Sequence, residues 1–354
     1  MLNEGTSTLM QISMQLAYAG GFKESAAQAA ELEKAGLDIA WVAEAYGFDG
    51  VSLMGYLAAT TETIKIAAGI LPIYTRTPTL LAMTAAGLDA LSDGRFILGL
   101  GASGPQVIEG FHGVPYDKPL GRTREILDIC RKVWAREAPL THDGPLYALP
   151  LPEGLGTGLG KALKIIAKPV RSAIPIYVAA LGEKNVALTA EAADGWLPLF
   201  FMPEKARDVF GPALDAGTAR RPADLGLLDI CAGGMLAIGE GPEIKAMLDF
   251  ARPMYALYIG GMGAKGKNFY NALVSRYGFE AEAAEIQDLY LAGKKDEAAA
   301  KVPLELLEAT NLVGSKGYVK ERISAFREAG VTVLNVNPVG EPAELIEKIN
   351  VWAE

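Results

Sequence analysis

Cysteine and histidine are almost absent. Cys130 and Cys231 are the only thiols, and His112 and His142 the only imidazoles, in 354 residues. So few of either argue against a disulfide scaffold, a cysteine-based metal cluster and a histidine-rich zinc or iron site. Positive charge is also short. Thirty-three Lys and Arg face 42 Asp and Glu, for a net charge of −9, whereas a phosphate-backbone partner needs a basic surplus. No apolar run reaches the roughly 18 residues of a membrane span. Lys23 is the first cation, so a basic signal-peptide start is missing as well. The expectation is a cytoplasmic globular protein with no nucleic-acid and no membrane partner, large enough to bury a core without staples.

Glycine, by contrast, is abundant, at 40 residues. Many glycines follow apolar, β-branched runs, where a strand would turn toward a helix. Eight such runs occur, at 11–18 (QISMQLAY), 39–44 (IAWVAE), 64–70 (IKIAAGI), 95–101 (RFILGLG), 174–180 (IPIYVAA), 195–199 (GWLPL), 226–238 and 331–338 (VTVLNVNP). Continuous rather than alternating apolarity predicts strands covered on both faces. Helical patterns fall between them at 22–35, 80–91 (after Pro78), 117–134, 183–193, 316–329 and 341–352. Alternation of this kind predicts a single-domain α/β fold over 1–354, a (β/α)8 TIM barrel. About 100 residues exceed what such a barrel needs. They are expected as insertions after strands 4 and 7, at approximately 102–173 and 239–314, the latter mostly helical. A doubly wound sheet is the weaker alternative, since no GxGxxG follows the first strand.

In a barrel, chemistry belongs at the C-terminal strand ends. Strand two ends in Glu44, which can accept hydrogen bonds from a heterocycle N–H or deliver a proton; the plain alternative is a surface carboxylate at a helix start. Strand three ends at Gly69–Ile70, with Tyr74 and Arg76 beyond, and a bulge there is the ordinary reading. Strand four ends LGLGASG, a small-residue loop lacking the Lys-Ser/Thr of a P-loop. Strand five runs into Gly182-Glu183-Lys184-Asn185, where free N–H groups, the helix dipole and a lysine would suit a phosphate; a simple helix start with a surface lysine is equally open. Segment 255–270 (YALYIGGMGAKGKNFY) reads as a mobile loop carrying Lys265 and Lys267. His112, Cys130 and Cys231 read as structural.

Three phrases together resemble the bacterial luciferase-like flavin-dependent family: LDIAWVAEAYGFDGVS, the stretch from AAGILPIYTRTP through RFILGLGASGPQVIEGFHGVPYDKP, and IPIYVAALGEKNVALTAEAADGWLP. The likeness runs from residue 11 to about 337. It is nearest the deazaflavin-dependent branch, which includes methylenetetrahydromethanopterin reductase and the coenzyme F420 type of glucose-6-phosphate dehydrogenase. The resemblance implies a homodimer with coenzyme F420 across the barrel mouth. It implies a non-proline cis peptide at Gly69–Ile70 behind the ring and Glu44 beside it. Gly101, Ala102, Ser103 and Gly104 would flank the ribityl chain. Ala179, Ala180, Leu181, Gly182, Glu183, Lys184 and Asn185 would hold the phosphate, and Leu199 and Phe200 form the opposite wall.

One departure is informative. The sugar-phosphate branch carries a proton-accepting His after the strand-two carboxylate, where this chain has Ala45. Tyr18, Tyr46, Tyr74 and Trp196 instead predict an aromatic substrate site. The expected activity is hydride transfer between coenzyme F420 and a small organic, apolar or aromatic substrate. An FMN-dependent monooxygenase and a non-catalytic flavin-binding relative are the alternatives.

Overall fold

The computed structural model describes residues 9–17 and 20–353. Eight strands form a closed ring: β1 Gln11–Gln15, β2 Ile39–Val42, β3 Lys65–Ala68, β4 Phe96–Gly101, β5 Ile176–Ala179, β6 Gly195–Leu197, β7 Asp229–Ala232 and β8 Val333–Pro338. Each pairs in parallel with the next. β8 closes the ring on β1 with Gln11 opposite Val333 and Ser13 opposite Asn335. Eight helices follow the strands: α1 Phe22–Lys34, α2 Gly50–Thr60, α3 Pro78–Leu91, α4 Pro119–Ala135, α5 Glu183–Ala192, α6 Pro203–Thr218, α7 Lys316–Glu328 and α8 Pro342–Ala353. The fold is thus a parallel (β/α)8 barrel.

Strand parity explains the unbroken apolar runs. Successive side chains point to opposite faces. Ile39, Trp41, Ala67, Ile97, Tyr177, Cys231 and Val333 make a small cluster inside the ring. Their neighbours, such as Ala40, Ile66, Leu98 and Leu334, join the large core beneath the helices. Both faces of these strands therefore carry apolar side chains. Helix starts are set locally: Asp49 accepts from the Val51 and Ser52 N–H groups, and the Thr77 hydroxyl accepts from Leu80 N–H ahead of Pro78.

Three elements differ from the sequence reading. α2 and α6 are additional to the six predicted helices. GVSLMGYLAAT has almost no polar residue to mark a period, and α6 carries Gly211 and Pro212 in its interior. The seventh run is two strands rather than one. At Gly233 a Cβ would overlap the Asn335 carbonyl, and beyond it Met235–Ile238 leaves β7 to pair with Leu312–Gly314 and the end of β8. Between Ile238 and Leu312 the chain is helical, including Arg252–Ala256, a π-helical turn at Leu257–Gly261 and Phe269–Arg276. Segment 255–270 is accordingly divided: Tyr255 and Ile259 are buried, whereas residues 264–267, with Lys265 and Lys267, are exposed as a surface loop would be. Between β4 and β5 lie Pro105–Ile108, α4 and a two-stranded hairpin, His142–Asp143 with Ala148–Leu149.

Candidate active site

The C-terminal mouth begins at Glu44, just past β2. Arg76 grips its carboxylate with two hydrogen bonds, Nη1 to Oε1 at 2.6 Å and Nη2 to Oε2 at 2.8 Å. The Gly50 N–H, at the start of α2, donates to Oε2 at 2.8 Å. The Glu44 and Arg76 side chains are only 9% and 14% exposed, so this is a desolvated, charge-assisted fork. The Glu44 hydrogen bond raises the Arg76 guanidinium above its usual value. Arg76 thus serves Glu44 rather than reaching freely into the mouth.

Gly69–Ile70 lies next to this clamp, and its peptide bond is trans; among the described residues the cis bond is Leu149–Pro150. The cis linkage implied by resemblance is therefore corrected. Gly69 N–H donates to Val42 O at 2.7 Å, and Glu44 N–H donates to Ile70 O at 3.2 Å. Both flanks are tied to the β2 side. What marks the site instead is close approach. A Cβ on Gly101 would overlap the Ile70 side chain, so the Ile70 side chain lies against the end of β4 only because residue 101 has none.

Two non-glycine residues at this mouth hold left-handed backbone, Ser103 at φ 57° and Phe200 at φ 55°. Such positions cost on the order of 1–3 kcal/mol and persist where surroundings over-determine them. Tyr116 Oη donates to Ser103 O at 3.4 Å. Phe200 is buried and stacks on Tyr255 at 4.1 Å between centroids, with Tyr258 and Tyr270 edge-on. Tyr277 Oη donates to the Phe200 carbonyl at 3.0 Å. Across from this wall, Tyr74 packs on Tyr116 at 5.1 Å and donates to Asp117 O at 2.8 Å. Burial pushes the phenols of Tyr74, Tyr116 and Tyr270 up, and each stays neutral. Leu199, Ala102 and Gly104 are half-buried beside them.

The third part is the β5–α5 turn. Ala180 is buried, while Ala179, Leu181, Gly182 and Asn185 are half-buried and Glu183 and Lys184 exposed. No side chain caps α5, so its first-turn N–H groups are available to an anion. Arg276, from the segment between β7 and β8, sits 3.7 Å from Glu183 and stacks over Phe210. It adds a second cation to the turn that sequence spacing could not reveal, being some 90 residues from it.

Other expected residues separate from this group. Tyr18 lies outside the described residues. Tyr46 is 67% exposed and rests on Phe111 at the rim. Trp196 does not face the mouth: it is fully buried among the helices against Phe210, its indole N–H donating to Ala180 O at 2.8 Å. Parity on β6 points residues 195 and 197 inward and 196 outward. Lys265 pairs with Asp288. Both cysteines are buried and their thiols pushed up to about 12 by desolvation. Among the described residues, no His/Cys/Asp/Glu group is arranged for a metal ion, and no helix is long and apolar enough to cross a membrane.

The opposite mouth is a plugged hollow of about 300 Å³ lined by Lys65, Arg95, Tyr177 and Asp229 among others. Arg95 spends its donors on the carbonyls of Ala58, Thr61, Ile64 and Ser92 and the Thr61 hydroxyl. Asp229 accepts from Tyr177 and Thr332. That end holds the barrel shut.

Fold and site together define a barrel protein with a clamped carboxylate, an aromatic wall and an uncapped helix start around its C-terminal mouth. The luciferase-like monooxygenase family model matches residues 3–333, and the chain belongs to that family. It is 43% identical over 331 residues, 92% of this chain and 94% of the relative, to a provisional coenzyme F420-dependent oxidoreductase of Mycobacterium tuberculosis. It is 28% identical to 5,10-methylenetetrahydromethanopterin reductase of Archaeoglobus fulgidus, over 87% of each chain. The solved coenzyme F420-dependent tetrahydromethanopterin reductase of Methanopyrus kandleri superposes with a TM-score of 0.76 at 22% identity, covering 96% of this chain and 97% of that one.

Proposed function

We propose that the protein is a cytoplasmic coenzyme F420-dependent oxidoreductase that passes a hydride between the deazaflavin and a small apolar or aromatic substrate. The observation that carries this reading is the 43% identity, sustained along nearly the whole chain, to the mycobacterial relative. The residues fit the group: the close approach at Gly101 leaves a smooth strand end for a flat ring, and the uncapped α5 start suits its phosphodiester. When bound, the coenzyme supplies the hydride-carrying carbon.

The chain's own residues bind and orient. Gly69 and Ile70 back the ring, with Glu44 beside it. With both oxygens already held, Glu44 acts as a fixed acceptor rather than a mobile proton donor. Gly101, Ala102, Ser103 and Gly104 line the ribityl side. Ala179 through Asn185, with Lys184 foremost, take the phosphate, while Leu199 and Phe200 form the far wall. Tyr46 and Tyr74 border the substrate.

Self-association belongs to the same reading. α2 and α3 carry no charged residue except Asp89, which is buried against Arg171. Their exposed residues include Tyr56, Leu80, Met83 and Leu91. On a chain of net charge −9, an uncharged face is where two copies meet without repulsion.

Titration of the purified protein with coenzyme F420 and with FMN, followed by fluorescence, tests the cofactor. Tighter binding of the deazaflavin is expected. Preference for FMN, with oxygen consumption by its reduced form, would overturn the assignment in favour of the monooxygenase.

A further inference from the structure

The interior of the barrel just below the mouth is not uniformly apolar. Gln15 stands on β1 directly opposite Trp41 of β2 in the pairing register, and Asn335 lies opposite Ser13 on the adjoining β8. Parity turns Ser13, Gln15, Trp41 and Asn335 inward. Gln15 Oε1 lies 3.3 Å from the point where Gly69 would carry a Cβ, which places it at the foot of the proposed ring site.

Each polar group is oriented by the chain and leaves one face unspent. Gln15 Nε2 donates to the carbonyls of Trp41 at 3.3 Å and Leu16 at 3.4 Å, so Oε1 stands free as an acceptor among the described residues. Asn335 Oδ1 accepts from the Ser13 hydroxyl at 3.2 Å, so Nδ2 remains as a donor. The Trp41 indole N–H is buried with no partner among the described residues, although buried N–H groups are nearly always bonded. Glu44 is already neutralised by Arg76, so no unpaired charge borders this floor.

We infer that this floor selects the substrate: it binds a neutral molecule presenting a carbonyl beside an N–H, as in a lactam or cyclic imide. The carbonyl accepts from Asn335 Nδ2 and the Trp41 indole, and the N–H donates to Gln15 Oε1. The inference rests on the reading that a substrate enters this mouth, and it adds to apolar shape a requirement for one donor and one acceptor.

The test compares δ-valerolactam, δ-valerolactone and cyclohexanone, three six-membered rings that differ in donor and acceptor content. Calorimetric titration is run on the protein with and without coenzyme F420, for the wild type, Gln15→Met and the isosteric Asn335→Asp. The lactam is expected to bind the wild type about tenfold more tightly than the lactone, the factor one satisfied buried hydrogen bond supplies. Gln15→Met should erase that preference, and Asn335→Asp should weaken binding of all three carbonyl rings. Circular dichroism confirms that both variants fold. Equal or undetectable binding of the three probes to the wild type, or a lactam preference that survives Gln15→Met, overturns the inference. Failure of the wild type to bind coenzyme F420 while the lactam preference holds would instead sink the cofactor assignment.

Discussion

At the scale of single residues, the Glu44–Arg76 fork is the most consequential contact. Removing one partner of a buried ion pair leaves the other charge unpaired, which typically costs about 3–5 kcal/mol. Arg76→Met should lower the urea midpoint accordingly, and adding Glu44→Gln should recover part of the loss. A double-mutant cycle showing strict additivity would mean the two groups are uncoupled. Lys184 belongs to the other end of the mouth. As an exposed residue on an uncapped helix start, Lys184→Glu should weaken coenzyme binding by about tenfold with an unchanged melting temperature; unchanged affinity would remove it from the phosphate site. Glu191, on α5, gives a pH signature. Arg124 first, then Arg220, hold its carboxyl down at about 2, from an ordinary 4.5. A depressed carboxylate stabilises the folded state above its unfolded pKa and loses that contribution as pH falls toward its folded one. Glu191→Gln should therefore flatten the fall in stability between pH 4.5 and 2, read by thermal melts across that range.

At the scale of elements, the uncharged pair α2 and α3 does two jobs. Each begins at the clamp: Gly50 N–H, the first residue of α2, bonds Glu44, and Arg76 lies two residues before Pro78 and α3. Their outer faces carry the apolar surface. Met83→Glu, on a residue 55% exposed, should convert a dimer to a monomer in sedimentation velocity and leave the monomer folded. An unchanged sedimentation coefficient would place the contact elsewhere. The β4 end gives a second element-level outcome. Gly101→Ala forces a Cβ into the Ile70 side chain. It should destabilise by about 1–3 kcal/mol, as overpacking does, and Ile70→Ala in the same chain should relieve most of that loss.

At the scale of the whole molecule, the barrel was legible in the sequence because strand-sized apolar runs and amphipathic helices alternate, and both signals come from burial. α2 escaped because a helix with few polar residues has no visible face, and α6 because Gly211 and Pro212 interrupt its interior. The carboxylate at Glu44 and the β5–α5 turn were readable as strand-end residues. The Arg76 fork, the Phe200–Tyr255 stack and Arg276 beside Glu183 were not, since they join residues 32, 55 and 93 apart in the chain. The trans bond at Gly69–Ile70 and the outward turn of Trp196 show where resemblance and composition overreach. A peptide isomer depends on what encloses it, and an aromatic at a strand end faces the site only if its parity allows.

Closure of the ring on β1 by β8 also orders events during synthesis. β1 ends at Gln15, and the strand that covers its free edge does not begin until Val333. A nascent chain on the ribosome must carry that uncovered hydrogen-bonding edge until Val333 and the residues after it are made, with β7 waiting on the other side for the same late strand. Chains released before residue 333 are expected to be protease-sensitive and prone to edge-to-edge association, because Val333–Pro338 decides between a sealed cylinder and an open sheet.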